Sequence, residues 1–353
     1  MKHYVIPIFI PHYGCTQRCV FCNQRKITGV TTFISPENIA ATIEEHLGRI
    51  TKPRRIEVAF YGGSFTALPV EMQSSLLAPA YRALDSKQIQ AIRLSTRPDC
   101  IQTDILDNLL RFGVSIIELG VQSLDDQVLQ NAARGHTCAD VIQAVALIKS
   151  AGIRCGIQLM PGLPGEDWRS MLNTARKAIQ LRPDFARIYP TLVIANTELA
   201  KWYRQDIYHP LSLAEGVARA SFLKLLFEQQ QIPVIRTGLQ ATEELAKQDV
   251  VLAGPYHPAF GEMVDAYLFY SMVAQCIEHI FQESTPKFAH IIIHHHTKDS
   301  SKLRGLANAN ITRWLNEYQI AKITMLPDGR TLGELHVEYR NILYVINRRM
   351  LSV

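Results

Sequence analysis

Residues 91–123, AIRLSTRPDCIQTDILDNLLRFGVSIIELGVQS, contain one full repeat of the pattern that decides the fold. "AIRLSTRP" (91–98) and "SIIELGVQS" (115–123) alternate apolar and polar residues as half-buried strands do, and Thr103 to Phe112 carries a helical spacing between them. Strand, helix, strand at this length predicts parallel strands joined by a crossover helix.

The rhythm extends in both directions. Upstream lie a strand in "MKHYVIPIFIPHYG" (1–14), a helix opened by Ser35-Pro36-Glu37, the strand "IEVAFYGG" (56–63) and a helix from Pro69 to Asp85. Downstream come helical "TCADVIQAVALIKSAG" (137–152), "CGIQLMPGLPG" (155–165), a helix from Asp167 to Leu181, and "FARIYPTLVI" (185–194). Ser212 and Glu215 form a capping box before a further helix. Six rounds predict an α/β fold of parallel β/α units, open or closed into a barrel, over residues 1–257. From about Pro258 the pattern changes: a long helix to Gln282, a strand "FAHIIIHHH", one polar helix around "LRGLANANITRWLNEY", and strands "IAKITML" and "HVEYRNILYVI". Residues 258–353 are expected to form a small α+β unit.

Strand alternation also assigns faces, because successive residues point to opposite sides. Ile92, Leu94, Ile117, Leu119, Ile157 and Leu159 share the apolar side. Arg93, Ser95, Arg97, Glu118, Gln122, Gln158, Arg187 and Tyr189 fall on the other. A packed barrel fills its interior with branched apolar residues, so a polar inner face predicts a lumen that holds a ligand.

Bulk properties exclude several classes. The chain has 353 residues, 47% of them hydrophobic, and a formal charge of +5, too mild to imply nucleic acid by itself. The start is broken by Pro7 and Pro11 and does not read as a signal peptide, and no run of apolar residues is long enough to predict a membrane span. A cytoplasmic location is expected. There the seven cysteines are not a disulfide framework, and clustered ones point to a metal.

The cluster is "PHYGCTQRCVFCNQ" (11–24), which places Cys15, Cys19 and Cys22 in a C-x3-C-x2-C array after the first strand. Three thiolates and His12 would suit a structural zinc. Three thiolates alone suit an iron–sulfur cubane with one iron lacking a protein ligand. With Phe21 before the third cysteine, the sequence resembles the radical S-adenosylmethionine superfamily. The resemblance implies a partial TIM-type (β/α)6 barrel, a [4Fe-4S] cluster held by Cys15, Cys19 and Cys22, S-adenosyl-L-methionine on its open iron, and a 5′-deoxyadenosyl radical on reductive cleavage. It implies an electron donor of flavodoxin or ferredoxin type, Phe21 beside the adenine, and Gly62 and Gly63 of "FYGGSFT", with Ser64, near the methionine amino group. It further implies cosubstrate or substrate contacts from Ser95, Arg97, Glu118, Gln122 and Gln158. Arg97 is the residue expected to take a carboxylate bidentately, with Glu118 as its alternative partner.

"STRPD" (95–99), "ELGVQS" (118–123), "RGHT" (134–137), "LMPGLPG" (159–165) and "RIYPTLVIANTEL" (187–199) together resemble the radical domain of the Elongator catalytic subunit, which modifies tRNA. Residues after 257 show no acetyl-coenzyme A loop, so a short stand-alone relative acting on tRNA or other RNA is expected. Small-molecule chemistry of the coproporphyrinogen oxidase kind, and a non-enzymatic zinc or RNA-binding protein, are the alternatives. Lys298, Lys302 and Arg304, helped by Arg49, Lys52, Arg54 and Arg55, are expected to meet RNA phosphates. Three adjacent histidines, His294 to His296, alternate in direction along a strand and are not expected to chelate together. Cys100, Cys138, Cys155 and Cys276 read as buried thiols.

Overall fold

The computed structural model describes residues 2–10, 15, 19–23, 34–52, 54–239, 242, 243, 245, 247, 249–283 and 289–352. Among these, parallel strands β1 (Lys2–Phe9), β2 (Arg54–Tyr61), β3 (Ala91–Thr96), β4 (Val114–Gln122), β5 (Arg154–Leu159) and β6 (Phe185–Ile188) lie side by side in sequence order. Helices α1 (Pro36–Gly48), α2 (Val70–Asp85), α3 (Thr103–Arg111), α4 (Asp126–Asn131), α5 (Cys138–Ser150) and α6 (Trp168–Gln180) alternate with them, and α7 (Glu198–Arg204) and α8 (Leu213–Gln229) follow. The predicted rhythm is therefore present.

Two details differ from the expectation. "FARIYPTLVI" is not one strand, because Val193–Ile194 (β7) leaves the main sheet and pairs antiparallel with Val251–Ala253 (β9). A seventh parallel strand, β8 (Val234–Thr237), closes the row beside β6. Its four residues, V-I-R-T, are too few for an alternation signal.

Sheet and helices bury one continuous core in which Ile92, Leu94, Ile117, Leu119 and Ile157 meet Leu76, Leu77, Leu109 and Ile148. Capping boxes start α1, α5, α6 and α8 at Ser35, Thr137, Asp167 and Ser212. Among the described residues β1 pairs only with β2, so Pro7 on this edge strand costs no ladder bond.

Beyond this lies α9 (Phe260–Glu283), then β10 (His290–His296), β11 (Lys322–Asp328), β12 (Glu334–Tyr339) and β13 (Ile342–Asn347), in the sheet order β11-β10-β12-β13. The single helix expected across 303–318 is broken. Gly305, Ala307 and Asn308 all adopt positive φ between α10 (Ser300–Arg304) and α11 (Ala309–Glu317). "HVEYRNILYVI" is a hairpin rather than one strand, turning where Arg340 and Asn341 have φ of 49° and 64°. Two adjacent residues with positive φ make the tight turn that matches strand twist.

One ionic hub fastens this region to the barrel. Asp265 on α9 accepts from Lys224 of α8 at 2.6 Å and Arg348 at 2.7 Å, and Lys302 lies 3.3 Å away. Burial works against that carboxylate, yet the three cations outweigh it and hold it down at about 2.

Candidate functional site

Parallel strands aim their carboxyl ends at one face, where loop residues meet inward-pointing side chains. Cys15, Cys19 and Cys22 follow β1 on that face and are half-buried. Their segment is held through Val20, whose N–H donates to the Ala132 carbonyl at 3.2 Å and whose carbonyl accepts from Leu199 N–H at 2.8 Å. Asn23 donates to the Ala195 carbonyl at 3.1 Å. Phe21 is buried with Leu163, Leu199 and Tyr208 in a small apolar cluster against which Cys19 and Cys22 pack.

The strand ends supply the rest. Gly62, after β2, has φ of +95°, a conformation that costs glycine nothing; Gly63 follows it. Ser64 is buried with its Oγ 3.5 Å from Cys15 Sγ. Thr66 and Thr96 share a hydroxyl hydrogen bond of 2.6 Å that ties this loop to β3. Gln158 Nε2 donates to Gln122 Oε1 at 3.2 Å, and Ser95 is half-buried opposite Glu118 in the β3–β4 register.

The predicted polar face is occupied by a buried ionic chain. Arg93 donates to Glu57 at 2.5 Å and to Glu118 at 2.8 Å. Arg187 donates to the same Glu118 oxygen at 3.0 Å, to Tyr61 OH at 3.1 Å and to Tyr189 OH at 2.8 Å. Glu118 thus pairs with Arg93 and Arg187, not with Arg97. Arg97 does bind a carboxylate bidentately, that of Asp99 at 2.9 and 3.0 Å, while its Nη2 also donates to the Arg134 carbonyl at 2.5 Å.

Arg134 is a candidate site residue that sequence reasoning missed. Its Nη1 donates to Cys19 Sγ at 3.1 Å and its Nη2 to the Gly120 carbonyl at 2.6 Å, and it is buried. Gly120 leaves that carbonyl accessible: an added Cβ would lie 2.9 Å from Gln122 Nε2 and 3.4 Å from Arg134 Nη2. The only sequence signal was its place in "RGHT". Two residues on, His136 has Nε2 3.1 Å from the Val121 carbonyl, and burial, reinforced by the Arg134 and Arg97 charges, lowers its pKa to about 4.

A cubane cluster is bound by one thiolate per iron, so its ligands need not converge on one point as a single ion's must. Among the described residues no three His, Cys, Asp or Glu side chains are gathered for a single ion, and His12 lies outside the described residues. The donor chemistry fits the cluster: three soft thiols on one loop, one of them 3.1 Å from the Arg134 guanidinium.

Burial raises the Cys100, Cys155 and Cys276 thiols to about 11, 12 and 12. His294 bonds Glu338 at 3.0 Å, His295 bonds Ser300 at 2.8 Å, and His296 accepts from Lys298 N–H. Of the expected RNA contacts, Lys298 and Arg304 are exposed, whereas Lys302 belongs to the Asp265 hub. Arg54 and Arg55 begin β2, at the opposite end of the barrel from the cysteines. Among the described residues no helix is long and apolar enough to cross a membrane.

The profile of the Radical SAM superfamily matches residues 9–178, and that of the Radical_SAM C-terminal domain matches 183–269. The tRNA uridine(34) acetyltransferase of Methanocaldococcus jannaschii is 28% identical over 246 residues, 64% of this chain and 44% of that protein. Elongator complex protein 3 of Saccharomyces cerevisiae is 32% identical over 189 residues, 47% of this chain and 34% of its own length. The structure of Methanocaldococcus infernus Elp3 lacking residues 1–46 superposes with a TM-score of 0.61 at 25% identity, covering 76% of this chain and 63% of that one. The chain spans less than half the length of these curated relatives.

Proposed function

Because the chain belongs to the radical SAM superfamily, whose enzymes use a [4Fe-4S] cluster and S-adenosylmethionine, we propose that it modifies a base of tRNA or another RNA by hydrogen abstraction. The observation that carries this reading is the set of three thiols on one loop at the carboxyl end of an ionic barrel, with Cys19 3.1 Å from the Arg134 guanidinium. The names of the aligned relatives support RNA as the substrate class.

When bound, the cluster with S-adenosylmethionine supplies a 5′-deoxyadenosyl radical. Cys15, Cys19 and Cys22 would hold the cluster. Gly62 and Gly63 would leave their backbone open to the methionine amino group, Phe21 would border the adenine, and Ser95, Gln122 and Gln158 would face the ribose or substrate. Arg97 is engaged by Asp99, so Arg134 is the better placed cation for the methionine carboxylate. Glu118, Arg93 and Arg187 form the floor on which the substrate rests. An external electron donor of flavodoxin or ferredoxin type completes the system.

Anaerobic reconstitution followed by reduction tests the chemistry. Wild type is expected to bind iron and sulfide and to release 5′-deoxyadenosine and methionine, and Cys15→Ala, Cys19→Ala and Cys22→Ala to lose both. Modified nucleosides from deletion and parent cells then test the substrate. A colourless protein that leaves S-adenosylmethionine intact refutes the first part, and identical nucleoside profiles refute the second.

A further inference from the structure

The loop after β5 has an outer side as well as an inner one. Between it and the segment joining α7 to α8 opens a cleft of about 690 Å³, within the range of pockets that hold small ligands. Its floor is fixed at Gly162, whose N–H donates to Glu166 Oε2 at 2.5 Å and whose carbonyl accepts from Tyr208 OH at 2.6 Å. Gly162 has φ of +88°, and a Cβ there would lie 2.8 Å from Leu211, so glycine lets Leu211 close on the loop. Trp202 and Tyr208 give the cleft an aromatic wall.

Arg219 of α8 lines the same space. Its Nη1 is buried without a hydrogen bond, 3.7 Å from Glu166 Oε2, and its guanidinium lies 5.2 Å from the Trp168 ring centre. A buried N–H lacking an acceptor is costly. Glu166 compensates it only in part, because burial raises that carboxyl to about 7 against the opposing pull of the Gly162 N–H and Arg219. A guanidinium with an unused N–H, paired with Glu166 only beyond hydrogen-bond distance, therefore lines a cleft that has an indole on its wall and Glu215 at its edge.

We infer that this cleft takes one nucleotide unit, its phosphate on Arg219 and its base against Trp202. A guanidinium fork matches phosphate geometry, and stacking on an aromatic side chain accepts any base. Both walls follow the carboxyl ends of β5 and β6, so the cleft opens at the end of the barrel that carries the cysteines, and Leu163 and Tyr208 join it to the cluster around Phe21. A nucleotide held there is a neighbour of one held over the lumen. That placement rests on the RNA reading; a free nucleotide offers the same chemistry, and the two sources separate in binding.

The test titrates cluster-free full-length protein with uridine 5′-monophosphate and with a fluorescent oligouridylate, comparing wild type with Arg219→Gln, Arg219→Lys and Trp202→Leu. Both neutralising and truncating variants are expected to weaken binding at least tenfold, with partial recovery in Arg219→Lys. An oligonucleotide that binds far more tightly than the mononucleotide assigns the site to RNA, and equal affinities assign it to a free nucleotide. Hydrogen exchange on wild type reads the same site without substitution: either probe should protect amides of 162–166 and 207–211. Undiminished binding by the folded variants, or no protection of those segments, overturns the cleft. The nucleoside comparison above is independent of it, so the RNA reading stands or falls separately.

Discussion

Removing the Glu118 carboxylate leaves two buried guanidinium groups to find other partners. Arg93 keeps Glu57 at 2.5 Å. Arg187 keeps only the neutral hydroxyls of Tyr61 and Tyr189, with 12% of its side chain exposed. Breaking a buried pair by deleting one partner costs about 3–5 kcal/mol, and with one arginine still paired the lower end applies, about 3 kcal/mol for Glu118→Ala. At roughly 2–4 °C per kcal/mol for a domain of this size, the melting temperature should fall by about 6–12 °C. Glu118→Gln, which keeps an acceptor but no charge, should fall between. Adding Arg187→Met to Glu118→Ala removes the stranded cation and should recover most of the loss. Denaturant titration of wild type, Glu118→Ala, Arg187→Met and the double variant gives the coupling energy directly. A loss below about 1 kcal/mol for Glu118→Ala, or strictly additive losses in the double variant, would show that water rather than Glu118 neutralises Arg187.

Two further outcomes follow from the same geometry. His136 is neutral in the fold, with a pKa near 4 against an ordinary 6.5; between those values the unfolded chain binds the extra proton, so stability falls as pH drops from 6.5 toward 4, by about 3 kcal/mol at most. Denaturation midpoints for His136→Gln should show a flatter slope in that window, and an unchanged slope would assign the acid sensitivity elsewhere. Gly156 lies beneath the Phe185 ring, and a Cβ there would fall inside van der Waals contact. Gly156→Ala should therefore cost about 1–3 kcal/mol, with recovery when Phe185→Leu is added; a neutral Gly156→Ala would show that the ring is free to move.

Alternation was enough for the parallel strands and their helices, because it is a local pattern that tertiary context reinforces, and chain order alone put Cys15, Cys19 and Cys22 on the loop after β1. Choosing among the arginines was a different matter. Ser95 lies directly across from Glu118 in the β3–β4 register, which puts Arg93 and Arg97 at equal diagonals on the same face. Alternation fixes the face but not the winner. Asp99 settles it by engaging Arg97, leaving Glu118 to Arg93 and, from β6, Arg187. Arg134 was hidden for a related reason: its neighbours, Cys19 and Gly120, are 115 and 14 residues away in sequence. In the last hundred residues, the helix break at 305–308 and the turn at Arg340-Asn341 depend on positive φ, which Ala307 and Arg340 do not advertise.

Among the described residues the seven parallel strands run from β1 to β8, and those two edges do not pair. A closed cylinder admits its substrate only end-on, as a free molecule small enough to pass the rim. An unclosed one is a trough, with a slot along its length. A reactive residue that is one link in a polymer can be laid into a trough from the side while the chain continues past on both flanks, so nothing has to be threaded or cut loose. If the substrate is RNA, as proposed above, two unpaired sheet edges would let the target nucleotide enter sideways, with no change to the chemistry at the strand ends.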